Sequence, residues 1–181
     1  KLNERIYAFK LTPFFIYFSG LEGIFRLSIH NGAIESVFNG DIGSFIITDT
    51  EELIIADRLR KEILFFDLRH KIRLRLKNLN IIYIACYEQQ IYLLTRKEII
   101  VFDEYGNTIK KIAIPERQDK IIVDESIWLF TPNQKIVYKW DGNWKIIELN
   151  HPILDLKIYK ERVLTLGQYG DTLFIYDRSD F

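Results

Sequence analysis

The chain has 181 residues, is 48% hydrophobic and 14% aromatic, and balances 25 basic against 25 acidic side chains. That composition excludes a disordered or linker-rich chain. Its zero net charge argues against a general polyanion binder, though not against one local basic patch. A single cysteine, Cys86, rules out any disulfide within the chain.

Aliphatic usage is lopsided, with 30 Ile against 5 Ala and no Met. Ile is β-branched and Ala favours helix, so the bias leans toward strands. No apolar stretch approaches the ~20 residues needed to cross a bilayer, and the start of the chain lacks the pattern of a secretory signal. The expectation is a soluble protein whose location the sequence leaves open.

In chain order, the first predicted strands cover residues 5–11 and the aromatic run 14–18, followed by Leu27-Ser28 and the turn residues His30-Asn31-Gly32. The second group ends its apolar runs on Phe66-Asp67, then Arg69-His70-Lys71. Its last strand alternates, Lys71, Arg73, Arg75 and Lys77 against Ile72, Leu74 and Leu76, as an outermost strand wet on one face should. The third group has runs at 81–85, 91–94, 99–102 and 109–114, and the fourth at 120–123, 127–130, 135–140 and 144–149. The fifth supplies 153–159, 162–166 and 172–176 and no fourth run. Cys86, beside the run 81–85, reads as a small buried core residue.

These groups are copies of one unit. An aromatic residue followed by Asp closes an apolar run at Phe66-Asp67, Phe102-Asp103, Trp140-Asp141 and Tyr176-Asp177, with Leu27-Ser28 a degenerate copy. The marks are 39, 36, 38 and 36 residues apart. About 37 residues holding four short strands and no helical period leave no room for a crossover helix. The architecture that repeats a four-stranded sheet at this spacing is the β-propeller. The predicted fold is therefore all-β, a small β-propeller of about five blades in one domain, with blades near 4–39, 40–78, 79–116, 117–151 and 152–181, the last three-stranded or completed elsewhere.

Ile91-Tyr92-Leu93-Leu94 followed by Ile99-Ile100-Val101-Phe102-Asp103-Glu104-Tyr105-Gly106-Asn107 resembles the NHL repeat and related propeller repeats. Leu53-Ile54-Ile55-Ala56-Asp57 followed by Ile63-Leu64-Phe65-Phe66-Asp67 resembles another copy. Trp140-Asp141 is similar to the dipeptide of WD40 repeats, without their upstream Gly-His, and the cofactor-ring contacts of quinoprotein repeats are not seen. The resemblance implies the fold and a bias toward binding surfaces, with no particular activity.

No Gly-rich phosphate loop, HExxH, CxxC or GxSxG element occurs. No residue is nominated as catalytic, cofactor-binding or metal-binding. His30 and His70 fall in turns on one face and His151 in a connection on the other, each read as a turn or surface histidine. The recurrent aspartates read as turn devices accepting backbone N–H groups. Only Asp124 and Asp155 are offered toward the channel, too few for calcium.

Two surfaces stand as candidates for binding. One is the face carrying the connections between second and third strands and between repeats, with Arg58, Arg60, Lys61, Arg96, Lys97, Arg117, Gln168 and Tyr169. The other is the basic stripe Arg69, Lys71, Arg73, Arg75 and Lys77, whose plain reading is protection of an edge strand from pairing. The leading expectation is a non-enzymatic propeller acting as an interaction scaffold or recognition module for a protein partner. The alternative is an enzyme or a small-ligand or metal-binding propeller using the central channel, in the manner of lactonases and lyases. A nucleic-acid or membrane-surface binder ranks third. The strand edge at 172–176 is expected to be covered by packing or by a strand from another chain.

Overall fold

The computed structural model describes residues 6–181 except Asp41 and Asp49. The first sheet contains β1 (Ala8–Leu11), β2 (Phe15–Ser19), β3 (Gly23–Ser28) and β4 (Ile34–Asn39). The expected beginning of its inner strand, at residue 5, lies outside the described residues. The second contains β5 (Ser44–Ile47), β6 (Leu53–Asp57), β7 (Glu62–Phe66) and β8 (Ile72–Leu76). The third contains β9 (Tyr83–Tyr87), β10 (Gln90–Leu94), β11 (Glu98–Phe102) and β12 (Thr108–Ala113). Within each, neighbours in sequence are neighbours in space and every pairing is antiparallel.

The order of apolar residues decides how the sheets stack. Side chains alternate faces along a strand, so a run apolar throughout must be covered on both sides. In β6, Leu53 and Ile55 enter the seam with the first sheet beside Tyr17 and Ile24, while Ile54 and Ala56 enter the seam with the third beside Ile84 and Leu93. In β10, Ile91 and Leu93 face the second sheet and Tyr92 and Leu94 face the fourth. Each such fully buried Ile, Leu or Phe side chain contributes about 1.5–3 kcal/mol relative to exposure. The fourth strands, β8 and β12, are mostly exposed. The innermost strands stand side by side, β1 by β5, β5 by β9 and β9 by β13 (Lys120–Val123).

The repeated Asp closes the third strand of a unit by a fixed device. Asp67 Oδ1 accepts from the N–H groups of Arg69 and Lys71, both at 2.9 Å. Asp103 Oδ1 accepts from Tyr105 and Asn107 at 2.9 and 2.8 Å. One residue of each turn is left-handed, His70 at φ 56° and Gly106 at φ 84°. At Gly106 a Cβ would meet Leu74 Cδ2 at 2.5 Å. The pairing slips by one residue beside each of these turns, between Phe65 and Phe66 and between Val101 and Phe102, which leaves Arg73 and Ile109 as the extra residues of β-bulges.

The fourth sheet departs from the five-blade expectation. It has six strands: β13, β14 (Ile127–Phe130), β15 (Gln134–Trp140), β16 (Trp144–Tyr159), β17 (Arg162–Gly167) and β18 (Leu173–Asp177). The first part of β16 pairs with β15 and the second with β17. The expected boundary at 151/152 thus falls inside one continuous 16-residue strand. The structure has four antiparallel sheets arranged as propeller blades, and five separate blades are not seen. The physical reason lies in residues 149–152, which stay extended. Pro152 sits in the irregular stretch of the β15 ladder between Glu148 and Ile153, one residue before the first pair with β17, where no register pair uses its missing N–H. The two halves of this sheet share a core of Trp128, Phe130, Val137, Leu149, Ile153 and Val163.

The outward faces of the first and last strand groups carry exposed apolar residues, although Phe18 on the first is buried and the last also carries Lys157, Arg162 and Asp177. Register puts Phe9, Phe18 and Phe25 on one face of the first sheet, with Leu11, Ile16 and Leu27. Phe9 is 68% and Leu11 70% exposed. At the other end Leu173, Ile175 and Tyr159 are exposed.

Candidate interaction site

A cavity of about 260 Å³ opens where the second sheet meets the third. Its walls come from three turns on one face of the stack: β5 to β6, β9 to β10, and β11 to β12. The first turn is shaped by Thr48, whose Oγ1 accepts from Glu52 N at 3.0 Å and whose N–H donates to Glu52 O at 2.9 Å. The second is the two-residue turn Glu88-Gln89, at φ 48° and 63°, a conformation that non-glycine residues adopt at a cost. Ile54, Phe65, Ile91 and Cys86 form an apolar floor, with Glu52, Arg73, Glu88 and Glu104 among the remaining lining residues.

Arg73 is the residue its bulge displaces, and this decides where its charge goes. Its guanidinium lies 5.9 Å from the centre of the Phe65 ring, 3.0 Å from Glu52 Oε2, and donates to Glu104 O at 3.1 Å. Arg75, beyond the bulge, pairs instead with Glu62 at 3.5 Å. The basic stripe is therefore out of step in the middle. Arg69 and Lys71 lend their N–H groups to the Asp67 turn, and with Lys77 their side chains are exposed.

On the opposite face several of the predicted contact residues are tied down. Arg58 donates from Nε to Ile82 O at 3.1 Å and from Nη2 to the same oxygen. Arg60 bridges to the buried Asp57 at 2.8 Å, and Arg117 to Asp119 at 3.6 Å. Lys61, Arg96 and Lys97 are exposed, as is Gln168, and Tyr169 is 84% exposed. Asp124 accepts from Ser126 N and Trp128 Nε1 and pairs with Arg178, while Asp155 pairs with Lys120 at 2.9 Å. Among the described residues no three His, Cys, Asp or Glu side chains are grouped to hold a metal.

Two side chains differ from their expected settings. Cys86 is half-buried against the core and lines the cavity. His151 belongs to β16 and to no turn: its ring stacks on Phe174 at 3.5 Å between centroids, Nε2 lies 3.2 Å from Thr165 Oγ1, and Nδ1 lies 3.2 Å from Tyr176 Oη. Desolvation, with Lys135 adding to it, holds its pKa below the usual value. Tyr138 donates to Glu116 Oε1 at 2.6 Å, and burial together with that carboxylate pushes its phenol up to about 12.

Sequence reasoning did not nominate the cavity. The available signal was Tyr87-Glu88-Gln89-Gln90, a two-residue hairpin gap lacking the Gly or Asn that its geometry favours.

No family model matches this sequence, and no curated protein matches it. Solved structures do. The WD40 domain of Neurospora crassa Pan2 superposes with a TM-score of 0.76 at 12% identity, over 98% of this chain and 64% of that one. The fold is that of a β-propeller. A chain from the complex of BBS1N with ARL6DN matches at 0.73 and 10% identity, over 95% and 65%. A streptogramin B lyase matches at 0.69 and 10% identity, over 95% and 68%. The propeller thus spans about two thirds of the length of these structures, and the likeness at such identities is one of fold.

Proposed function

We propose that this propeller is a non-enzymatic interaction module, seated in a larger assembly through the apolar faces at the two ends of its stack. The observation that carries the reading is the pair of uncovered faces, Phe9 and Leu11 at one end, Leu173 and Ile175 at the other. The first has the apolar composition of the internal seams, where comparable faces are covered by a neighbouring sheet, and the second sets its apolar residues among Lys157, Arg162 and Asp177. Uncovered apolar area of this kind marks a contact surface. The fold likeness to a propeller solved in complex with ARL6DN is compatible with that role. In this reading the last three strands act as an incomplete fifth blade, and β18 offers its free edge to a partner strand.

A photo-crosslinking residue placed at position 11 or 173 tests it. It should capture one defined protein, while the same group at Ile146, which is 66% exposed on β16, should not. The double variant Phe9→Ser, Leu11→Lys should lose the capture while keeping its circular dichroism. Equal labelling from all three positions would defeat the reading.

The opposite face is a second contact surface in this proposal. Exposed Tyr169, beside Gln168 and with Lys61, Arg96 and Lys97 on other loops, favours it.

A further inference from the structure

The cavity between the second and third sheets has a composition that selects its occupant. Its floor is apolar, and its lining carries three carboxylates, Glu52, Glu88 and Glu104, against one guanidinium, Arg73. That leaves a net charge of −2 around the opening. Arg73 is already committed to Glu52 and to the carbonyl of Glu104, so it has little left to offer an anion. The two tyrosines beside the other carboxylates respond to the same field. The Tyr87 phenol is raised by desolvation and then by Glu88, and the Tyr105 phenol by its hydrogen bond to Glu104.

Size narrows the choice further. At about 260 Å³ the space falls short of the ~300–1,000 Å³ of sites for drug-sized ligands. It suits one long side chain, with methylenes on the apolar floor and a positive group among the carboxylates. From these features we infer that the cavity receives a single Arg or Lys side chain from an extended segment of a protein partner. Arg73 and Glu52 pair with each other in the lining, while Glu88, carried on an exposed turn, and Glu104 remain to meet the incoming cation. The site lies away from the two apolar end faces, so its failure would leave that reading standing.

The test is a titration of the whole chain followed by NMR at the methyl groups of Ile54 and Ile91. The probes are N-acetyl-arginine methylamide, N-acetyl-lysine methylamide, the neutral N-acetyl-citrulline methylamide, N-acetyl-glutamate methylamide and spermidine. Both cationic amino-acid probes should shift these methyls saturably, with the citrulline probe at least ~10-fold weaker. Glu88→Gln, on the exposed turn, should weaken the arginine probe by roughly 3- to 10-fold without changing thermal stability. Glu52→Gln should weaken it as well. Citrulline binding as tightly as arginine would overturn the inference. Preference for the glutamate probe would assign the cavity to anions through Arg73. Spermidine binding more tightly than either amino-acid probe would replace the peptide source with a free polyamine. Silence from every probe would reduce the cavity to a packing gap in the seam.

Discussion

His151 stacks on Phe174 at 3.5 Å while its two ring nitrogens meet Thr165 and Tyr176 at 3.2 Å. One histidine on β16 thereby joins β17 to β18. Thr165 is fully buried, so loss of the imidazole leaves a hydroxyl without that partner. His151→Phe keeps an aromatic ring against Phe174 and should still cost about 1–3 kcal/mol, read from urea unfolding at pH 8.

The same residue sets a dependence on pH. The folded pKa of His151 is lowered by desolvation and Lys135, and that of His70 by desolvation and Arg26. Both folded values lie below the ordinary 6.5, so the unfolded chain takes up protons first as pH falls. The stability they contribute is complete above about 6.5 and declines as pH drops through that value toward the folded pKa. Urea midpoints at pH 8 and pH 5.5 should show the decline, and His151→Phe should make it shallower.

The turn aspartates act lower on the scale. Asp103 is held below its ordinary 3.8 by the Asn107 side chain and by backbone N–H groups, and Asp67 chiefly by the N–H of Lys71. Their contribution is present above 3.8 and fades as pH falls through the depressed folded values. Asp103→Ala should lower the unfolding midpoint at neutral pH. Asp103→Asn, which retains an acceptor, should lower it less and soften the loss between pH 5 and pH 3.

Gly106 and His70 occupy equivalent left-handed positions, yet they should respond differently. A methyl at Gly106 would sit 2.5 Å from Leu74 Cδ2 at φ 84°, so Gly106→Ala should cost about 1–3 kcal/mol. His70→Gly relaxes the backbone but gives up the contact with Tyr17, whose hydroxyl lies 3.5 Å from Nε2. Its net effect should be smaller, and thermal melts of the two variants give the order.

Trp128 is wholly buried, its ring edge-on to Phe181 at 5.8 Å and its Nε1 donating to Asp124 at 3.1 Å. Trp128→Ala should cost about 3–5 kcal/mol. Trp128→Phe, which drops only the indole donor and part of the volume, should cost clearly less in the same urea series.

Much of the architecture was readable in advance because two physical signals coincide. In β6, β7, β10 and β11 every residue is apolar or nearly so, which demands cover on both faces, and the aromatic-Asp pair marks the turn that follows. Two features gave no such signal. The bulge at Arg73 arises from how Phe65 and Phe66 pair with β8, and no Gly marks it, so plain alternation put Arg73 and Arg75 in step. Asn150-His151-Pro152 has the composition of a turn, but the strand continues through it to Ile153, where the two ladders of β16 meet. The cavity was hidden for a related reason. Its walls lie 56 residues apart at their extremes, from Thr48 to Glu104, and no local pattern links them.

The unbroken course of β16 has a consequence for how this molecule can be taken apart. Between the first three sheets the chain crosses in short connections, and new termini or inserted sequences at residues 77–81 or 115–118 would sever no ladder. At residues 149–152 a cut would divide a strand that two ladders share. The first three sheets are separable parts in evolution and in engineering, whereas everything from Lys120 onward must be inherited, exchanged or permuted as one piece.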